Sequence, residues 1–155
     1  MSTPATRLQM DARKTTLTTE PTAGLVVEIG YRSVAETFFR HDPPTPGELE
    51  SAIDAVEDAL MAARAQRVDA GTVLVISDEI RRLLPRLLPD GTGATLEEVE
   101  ARFQRLASAS LGHPGALANL PLDPEVAAAL LILRECMHHL GFAGLVIAQA
   151  PSGAQ

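Results

Sequence analysis

The segment V-E-I-G-Y-R-S-V-A-E-T-F-F, residues 27–39, carries the strongest structural signal in this chain. It continues an apolar, β-favouring run that begins at Gly24, and this run predicts a strand over residues 24–30. Apolar side chains then recur at helical spacing, which predicts a short helix ending at Phe39. The segment therefore indicates a strand that leads directly into a helix.

The sequence after this segment contains two clear helix starts. Thr45-Pro46-Gly47-Glu48 combines an N-cap threonine, a proline at the first helical position and the glutamate of a capping box. This predicts a helix that ends near Gln66. A second capping box, Thr95-Leu96-Glu97-Glu98, predicts another helix that ends at about Ser110.

Two further strands and a last helix complete the pattern. The β-branched, apolar run 72–76 is typical of a strand covered on both faces and therefore central. Asp123 and Pro124 start a helix that should end at Gly141, and residues 145–148 form a final strand. The sequence thus predicts an α/β fold with a small, mostly parallel sheet of about three strands, packed by four to six helices.

The apolar pattern also suggests the domain organisation. Residues 23–149 are expected to form a single domain. Residues 1–22 are rich in threonine without a sustained apolar period, so we expect a flexible tail, with a short edge strand at 8–10 or 15–18 as the alternative. Residues 150–155 are expected to be a C-terminal tail.

Composition and charge exclude several classes of protein. The 155 residues suffice for one core, and a net charge of −7 with a single lysine and scattered arginines gives no surface for nucleic acid. The longest apolar run, residues 126–133, is far shorter than the about 20 residues that span a membrane. No secretory signal pattern opens the chain and Cys136 is the only cysteine, so a cytoplasmic protein is expected.

Four segments in order are similar to segments of the exopolyphosphatase and guanosine pentaphosphatase (Ppx/GppA) enzymes. The first is residues 27–39 followed by D-P-P-T-P-G-E-L-E, residues 42–50. The others are A-T-L-E-E-V-E-A-R-F-Q-R-L-A-S-A-S (94–110), L-D-P-E-V-A-A-A-L-L-I-L (122–133) and H-L-G-F-A-G-L-V-I-A (139–148). The resemblance implies a partial actin-like (ribonuclease H-like) fold, comprising the later part of the second lobe.

The resemblance also implies where chemistry would occur and what this chain lacks. Such enzymes hold a phosphate chain in a cleft between two lobes, where a carboxylate-activated water attacks the terminal phosphorus. We expect their Asp-bearing glycine-rich hairpin, of the D-I-G-G-G-S-T-E type, to be absent here. Where they carry a glycine-rich turn after a strand, this chain has Ser77-Asp78-Glu79, whose carboxylates would repel phosphate.

Arg32, Glu36 and Ser77 are the candidate substrate-binding residues. The resemblance places Arg32 and Glu36 beside the cleft, where the guanidinium could bind an anion. The alternative, which we prefer, is an ion pair between Arg32 and Glu36, since they are four residues apart on one helix. Ser77 lies at the turn that would receive phosphate. No catalytic residue is assigned.

Glu135, Cys136 and His139 are the candidate metal ligands. Glu135 and His139 share a helix face, and Cys136 and His139 are three residues apart, a spacing that suits zinc. The alternative, which we favour, is that the imidazole interacts with the negative end of the helix dipole and that Cys136 is a small buried apolar residue.

These observations favour a non-catalytic exopolyphosphatase-like module that acts by self-association or protein binding, and no cofactor is expected. The alternatives are a polyphosphate or guanosine polyphosphate hydrolase with a composite or partner-completed active site, for which Mg²⁺ would be expected, and a small zinc-binding protein. Without the hairpin the sheet would have a gap, which the N-terminal segment, a rearranged sheet or a second copy must fill. We therefore expect a homodimer.

Overall fold

The computed structural model describes residues 6–19, 24–63, 73–76, 83, 93–118, 120 and 122–147. In chain order the elements are β1 (Thr6–Met10), β2 (Thr15–Thr19), β3 (Leu25–Val27), α1 (Tyr31–Phe38), α2 (Pro46–Ala63), β4 (Val73–Ile76), β5 (Gly93–Thr95), α3 (Leu96–Ser110), a 3-10 helix (Pro114–Leu117), α4 (Pro124–Leu140) and β6 (Gly144–Ile147).

The strands form one mixed sheet in the order β3-β2-β1-β4-β6-β5. The pairs β1–β4 and β4–β6 are parallel, whereas β1–β2, β2–β3 and β5–β6 are antiparallel. The predicted α/β class is confirmed, and β4 is central as expected. The expectation of about three mostly parallel strands is wrong, because the described residues contribute six strands and most of the pairings are antiparallel.

The N-terminal segment is part of the sheet, so the expectation of a flexible tail is wrong for residues 6–19. Strands β1 and β2 form a hairpin in which Leu8 pairs with Leu17, and both side chains are fully buried. This hairpin lies between β3 and β4, where a gap was expected. The N-terminal segment therefore fills the gap, and the reason for expecting a homodimer is removed.

Buried threonines explain why the sequence pattern did not reveal this hairpin. Thr6, Thr15 and Thr19 face the core, where a hydroxyl is costly unless it is hydrogen-bonded. The hydroxyls of Thr6 and Thr19 lie 2.7 Å apart, and that of Thr15 donates to the Ile29 carbonyl at 2.8 Å. Threonine thus occupies buried strand positions without giving an apolar signal.

The predicted helix ends that fall on described residues agree with the structure, whereas the end predicted near Gln66 lies outside those residues. The capping boxes at Thr45 and Thr95 both form, and the Asp123 carboxylate accepts the Val126 N–H at 2.9 Å. Gly141 ends α4 in the left-handed conformation, with φ of 80°. Helix α4 is buried nearly all round in its first half and packs against α1, α2 and α3. Among the described residues, no helix is long and apolar enough to span a bilayer.

The capping box of α2 makes stability depend on pH. Desolvation acts to raise the pKa of Glu48, but hydrogen bonds from His41 and from the backbone N–H groups of Thr45 and Arg40 outweigh it and lower the pKa to about 2. A lowered pKa stabilises the fold above the ordinary value of 4.5, and this contribution is lost as the pH falls toward about 2.

We therefore expect Glu48→Gln to lower the free energy of unfolding at pH 7, and the difference from wild type to shrink between pH 4.5 and about 2. Urea unfolding at a series of pH values measures this. Glu50→Gln, at an exposed position on the same helix, is the matched control and should show little effect. A Glu48 effect that stayed constant over this pH range would contradict the assignment.

Candidate functional site

The turn of the β1–β2 hairpin consists of Asp11, Ala12, Arg13 and Lys14. One carboxylate oxygen of Asp11 accepts the backbone N–H groups of Arg13, at 2.8 Å, and Lys14, at 2.7 Å. The hydrogen bond from the Arg13 N–H is the main cause of the lowered pKa of Asp11. Desolvation opposes this shift, and the N–H and the charge of Lys14 add to it. The Asp11 carboxylate therefore accepts both backbone N–H groups that this turn would otherwise offer to a ligand.

The start of α1 packs directly on this turn. The backbone N–H groups of Arg32 and Ser33 both donate to the Ala12 carbonyl, at 3.1 and 3.0 Å. Gly30 precedes them, and a Cβ at Gly30 would overlap the Asp11 carbonyl oxygen and lie 2.5 Å from the Arg13 nitrogen. Glycine is needed here because the two backbone segments approach so closely.

The candidate substrate-binding residues of α1 pair with other elements. The Arg32 Nε donates to a carboxylate oxygen of Glu125, in the first turn of α4, at 2.8 Å. Glu36 forms an exposed ion pair with Arg13, with 3.3 Å between nitrogen and oxygen. The expected pair between Arg32 and Glu36 is therefore wrong, because α1 lies between α4 and the hairpin turn and each side chain reaches its nearer neighbour. Ser77 lies outside the described residues.

A second group of chemically active side chains joins α2 to α4. The ligand atoms of Glu57, Glu135 and His139 all lie within 4.8 Å of one another. His139 Nε2 is 3.2 Å from Oε1 of Glu135 and 3.4 Å from Oε1 of Glu57. The Glu135 side chain is only 1% exposed, and its other oxygen accepts from Arg134 at 2.6 Å. Desolvation raises the pKa of Glu135, although the charges of Arg134 and His139 oppose this.

Cys136, a candidate ligand from the sequence, is not part of this group. Its side chain is buried in the core, and desolvation, followed by the charge of Glu135, raises the pKa of the thiol to about 12. Zinc binds the thiolate, so a thiol that stays protonated is a poor ligand. Glu57, which sequence reasoning missed, lies beside His139 instead.

This chain has an α/β fold of the actin-like type, which is an architecture known from other proteins. No family model matches the sequence, and no curated protein does. The solved structures that it resembles include Ppx/GppA proteins and exopolyphosphatases.

The Ppx/GppA enzyme of Aquifex aeolicus is 14% identical, with a TM-score of 0.68 over 96% of this chain and 54% of its own. An exopolyphosphatase-like protein, 13% identical, has a TM-score of 0.71 over 96% and 55%. The Cytophaga hutchinsonii exopolyphosphatase, also 13% identical, has a TM-score of 0.59 over 94% and 53%.

These comparisons confirm the predicted resemblance as a likeness of fold. The chain spans about half the length of the structures it matches. The expected absence of the hairpin is wrong, because β1 and β2 form a hairpin with Asp11 at its turn. The glycine-rich motif itself is absent: Arg13 and Lys14 stand where the D-I-G-G-G-S-T-E motif has its first two glycines. The available signal was an aspartate between the alternating stretch of residues 6–10 and the threonine-rich stretch of residues 15–19.

Proposed function

We propose that this chain is a non-catalytic module with an exopolyphosphatase-type fold, which acts by binding another protein or a second copy of itself. The observation that carries the proposal is the hairpin turn, whose Arg13 and Lys14 amides are hydrogen-bonded to Asp11. A phosphate group would need these amides.

The backbone around the turn is satisfied internally. Besides the amides of Arg13 and Lys14, those of Arg32 and Ser33 at the start of α1 are used, since both donate to the Ala12 carbonyl. Free backbone N–H groups close together could bind an anion, but here one pair donates to the Asp11 carboxylate and the other pair to the Ala12 carbonyl. Here a bound phosphate would have to displace a carboxylate from its own turn and overcome the repulsion of that carboxylate.

Two arginines that could supply positive charge are also engaged. Arg13 pairs with Glu36, and Arg32 pairs with Glu125. The Arg13 pair is exposed and contributes little stability, but the Arg32 bond is short and holds α1 against α4. Both arginines therefore serve contacts within the fold.

A groove between α2 and α3 supports the protein-binding part of the proposal. It encloses about 180 Å³, and its lining is mainly apolar: Pro46, Leu49, Ile53, Phe103, Ala107 and Leu111 contribute to it. Leu111, one of the lining residues, is 68% exposed. Exposed apolar side chains beside an apolar groove are typical of contact surfaces.

Sedimentation of the purified chain separates the two kinds of partner, since self-association alone produces a dimer.

We expect the purified chain to release no phosphate from polyphosphate or guanosine pentaphosphate above the buffer background, with or without Mg²⁺. The physical reason is that the amides and arginines at the turn are already paired. Release is measured colorimetrically, and the Cytophaga hutchinsonii exopolyphosphatase is the positive control.

The Asp11→Asn variant tests the same site by removing the charge of the carboxylate at the turn. Asparagine keeps an acceptor for the turn but removes the charge, so triphosphate binding in calorimetry should stay absent or weak while the fold persists. Phosphate release by the wild type that disappears in Asp11→Asn would refute the proposal, because Asp11 would then be a working active-site residue.

A further inference from the structure

We propose that this chain binds a zinc ion through Glu57, Glu135 and His139, an ion that would clamp α2 against α4. The three side chains come from two packed helices and converge on one place. Glu135 and His139 are one helical turn apart on α4, while Glu57 reaches them from α2. This inference is independent of the proposed function, since the cluster shares no residue with the hairpin turn.

The two distances from His139 are close to those of tetrahedral coordination. Zinc lies about 2.0–2.2 Å from nitrogen and carboxylate oxygen, so two ligand atoms of a tetrahedral site stand about 3.3–3.6 Å apart. His139 Nε2 is 3.2 Å from the nearer Glu135 oxygen and 3.4 Å from the nearer Glu57 oxygen. The ligand oxygens of Glu57 and Glu135 lie within 4.8 Å of each other, and rotation of the partly exposed Glu57 side chain can adjust this third distance to the ion.

The ligand types select zinc over the common hard cations. One imidazole nitrogen with two carboxylates suits zinc, whereas Mg²⁺ favours an octahedron of oxygen ligands. Three protein ligands leave the fourth position of a tetrahedral ion to water. Glu57 is 41% and His139 is 32% exposed, so the ion and this water can reach the site from solvent.

Arg134 orients the buried ligand. Its guanidinium binds the outer oxygen of Glu135 at 2.6 Å, which leaves the inner oxygen facing His139. The guanidinium also lies over the Phe103 ring, 4.5 Å from the ring centre, and this contact holds it in place. The two carboxylates of Glu57 and Glu135 outnumber the one guanidinium of Arg134 in this half-buried place, which favours a divalent cation.

Thermal unfolding of the full chain with added zinc chloride tests the proposal. At a hundredfold excess over the dissociation constant, the midpoint should rise by about 5–10 °C, whereas magnesium chloride should leave it unchanged. Cobalt(II), which takes the same geometry, should give the intense visible absorption of a tetrahedral site.

His139→Gln and Glu57→Gln should each abolish the zinc shift and the cobalt bands. Both side chains are partly exposed, so these variants are expected to fold, which circular dichroism verifies. His138→Ala is the matched control, because His138 pairs with Glu100 outside the cluster and should keep the full zinc response. The proposal is overturned if zinc leaves the midpoint of the wild type unchanged, or if the shift survives in His139→Gln.

Discussion

Replacement of Leu8 by alanine is expected to lower the free energy of unfolding by about 2–5 kcal/mol, the cost typical of a leucine truncated in a packed core. Leu8 is fully buried in β1, between Leu17 of β2 and Ile76 of β4. The alanine variant leaves a cavity at the centre of the sheet, where the surrounding strands cannot easily close on it. Urea unfolding followed by circular dichroism measures the difference.

Gln9→Ala is the matched control, since Gln9 is the next residue of the same strand and its side chain is exposed on the other face. Its effect should stay within about 0.5 kcal/mol. If residues 6–19 were a tail, both variants would be neutral. Equal stability of Leu8→Ala and Gln9→Ala would therefore show that β1 is not part of the sheet.

Gly30→Ala is expected to destabilise the fold by about 3 kcal/mol, at the upper end of the usual cost of overpacking. The added Cβ would lie 2.5 Å from the Arg13 nitrogen and 2.6 Å from the Ala12 carbonyl carbon. These are backbone atoms, which cannot rotate away as the end of a side chain could. The hairpin turn and the start of α1 would have to separate, and the bonds from Arg32 and Ser33 to Ala12 would break.

Gly47→Ala provides the comparison for this prediction. Gly47 lies in the first turn of α2, and a Cβ there would meet nothing within 4 Å. Alanine favours the helix by about 0.5–1 kcal/mol over glycine, so the variant should be as stable as the wild type or slightly more stable. A Gly30→Ala protein as stable as Gly47→Ala would contradict the close packing of the turn on α1.

Local signals predicted the helices well, because capping depends on residues close in sequence. Thr45 with Glu48 and Thr95 with Glu98 satisfy backbone groups at the helix starts within one turn, so the pattern alone indicates the structure. Gly141 did the same for the end of α4. These interactions need no knowledge of the rest of the chain.

The sheet was harder to predict, because its strands are short and their buried faces are partly polar. The hairpin buries Thr6, Thr15 and Thr19, whose hydroxyls find partners only in the folded protein. Strand β5, Gly93–Thr95, is too short to show any alternation. Its position is set by β6, against which Gly93 packs closely.

In the candidate sites, too, contacts between residues close in sequence were predicted and contacts between distant residues were not. Glu135 and His139 are neighbours on one helix, so their proximity followed from spacing, and the structure places them together. Glu57 is far away in sequence and joins them only because α2 packs on α4. Asp11 was missed for a related reason, since its role depends on the formation of the hairpin around it.

The parallel pairing of β1 with β4 has a consequence for biosynthesis. Strands β1, β2 and β3 are joined by antiparallel pairings within the first 27 residues and can associate soon after they leave the ribosome. The partner of β1 on its other side, β4, is translated only at residues 73–76. Until then the edge of Thr6–Met10 is unpaired in the nascent chain, and this edge is where strands of other chains could add to it.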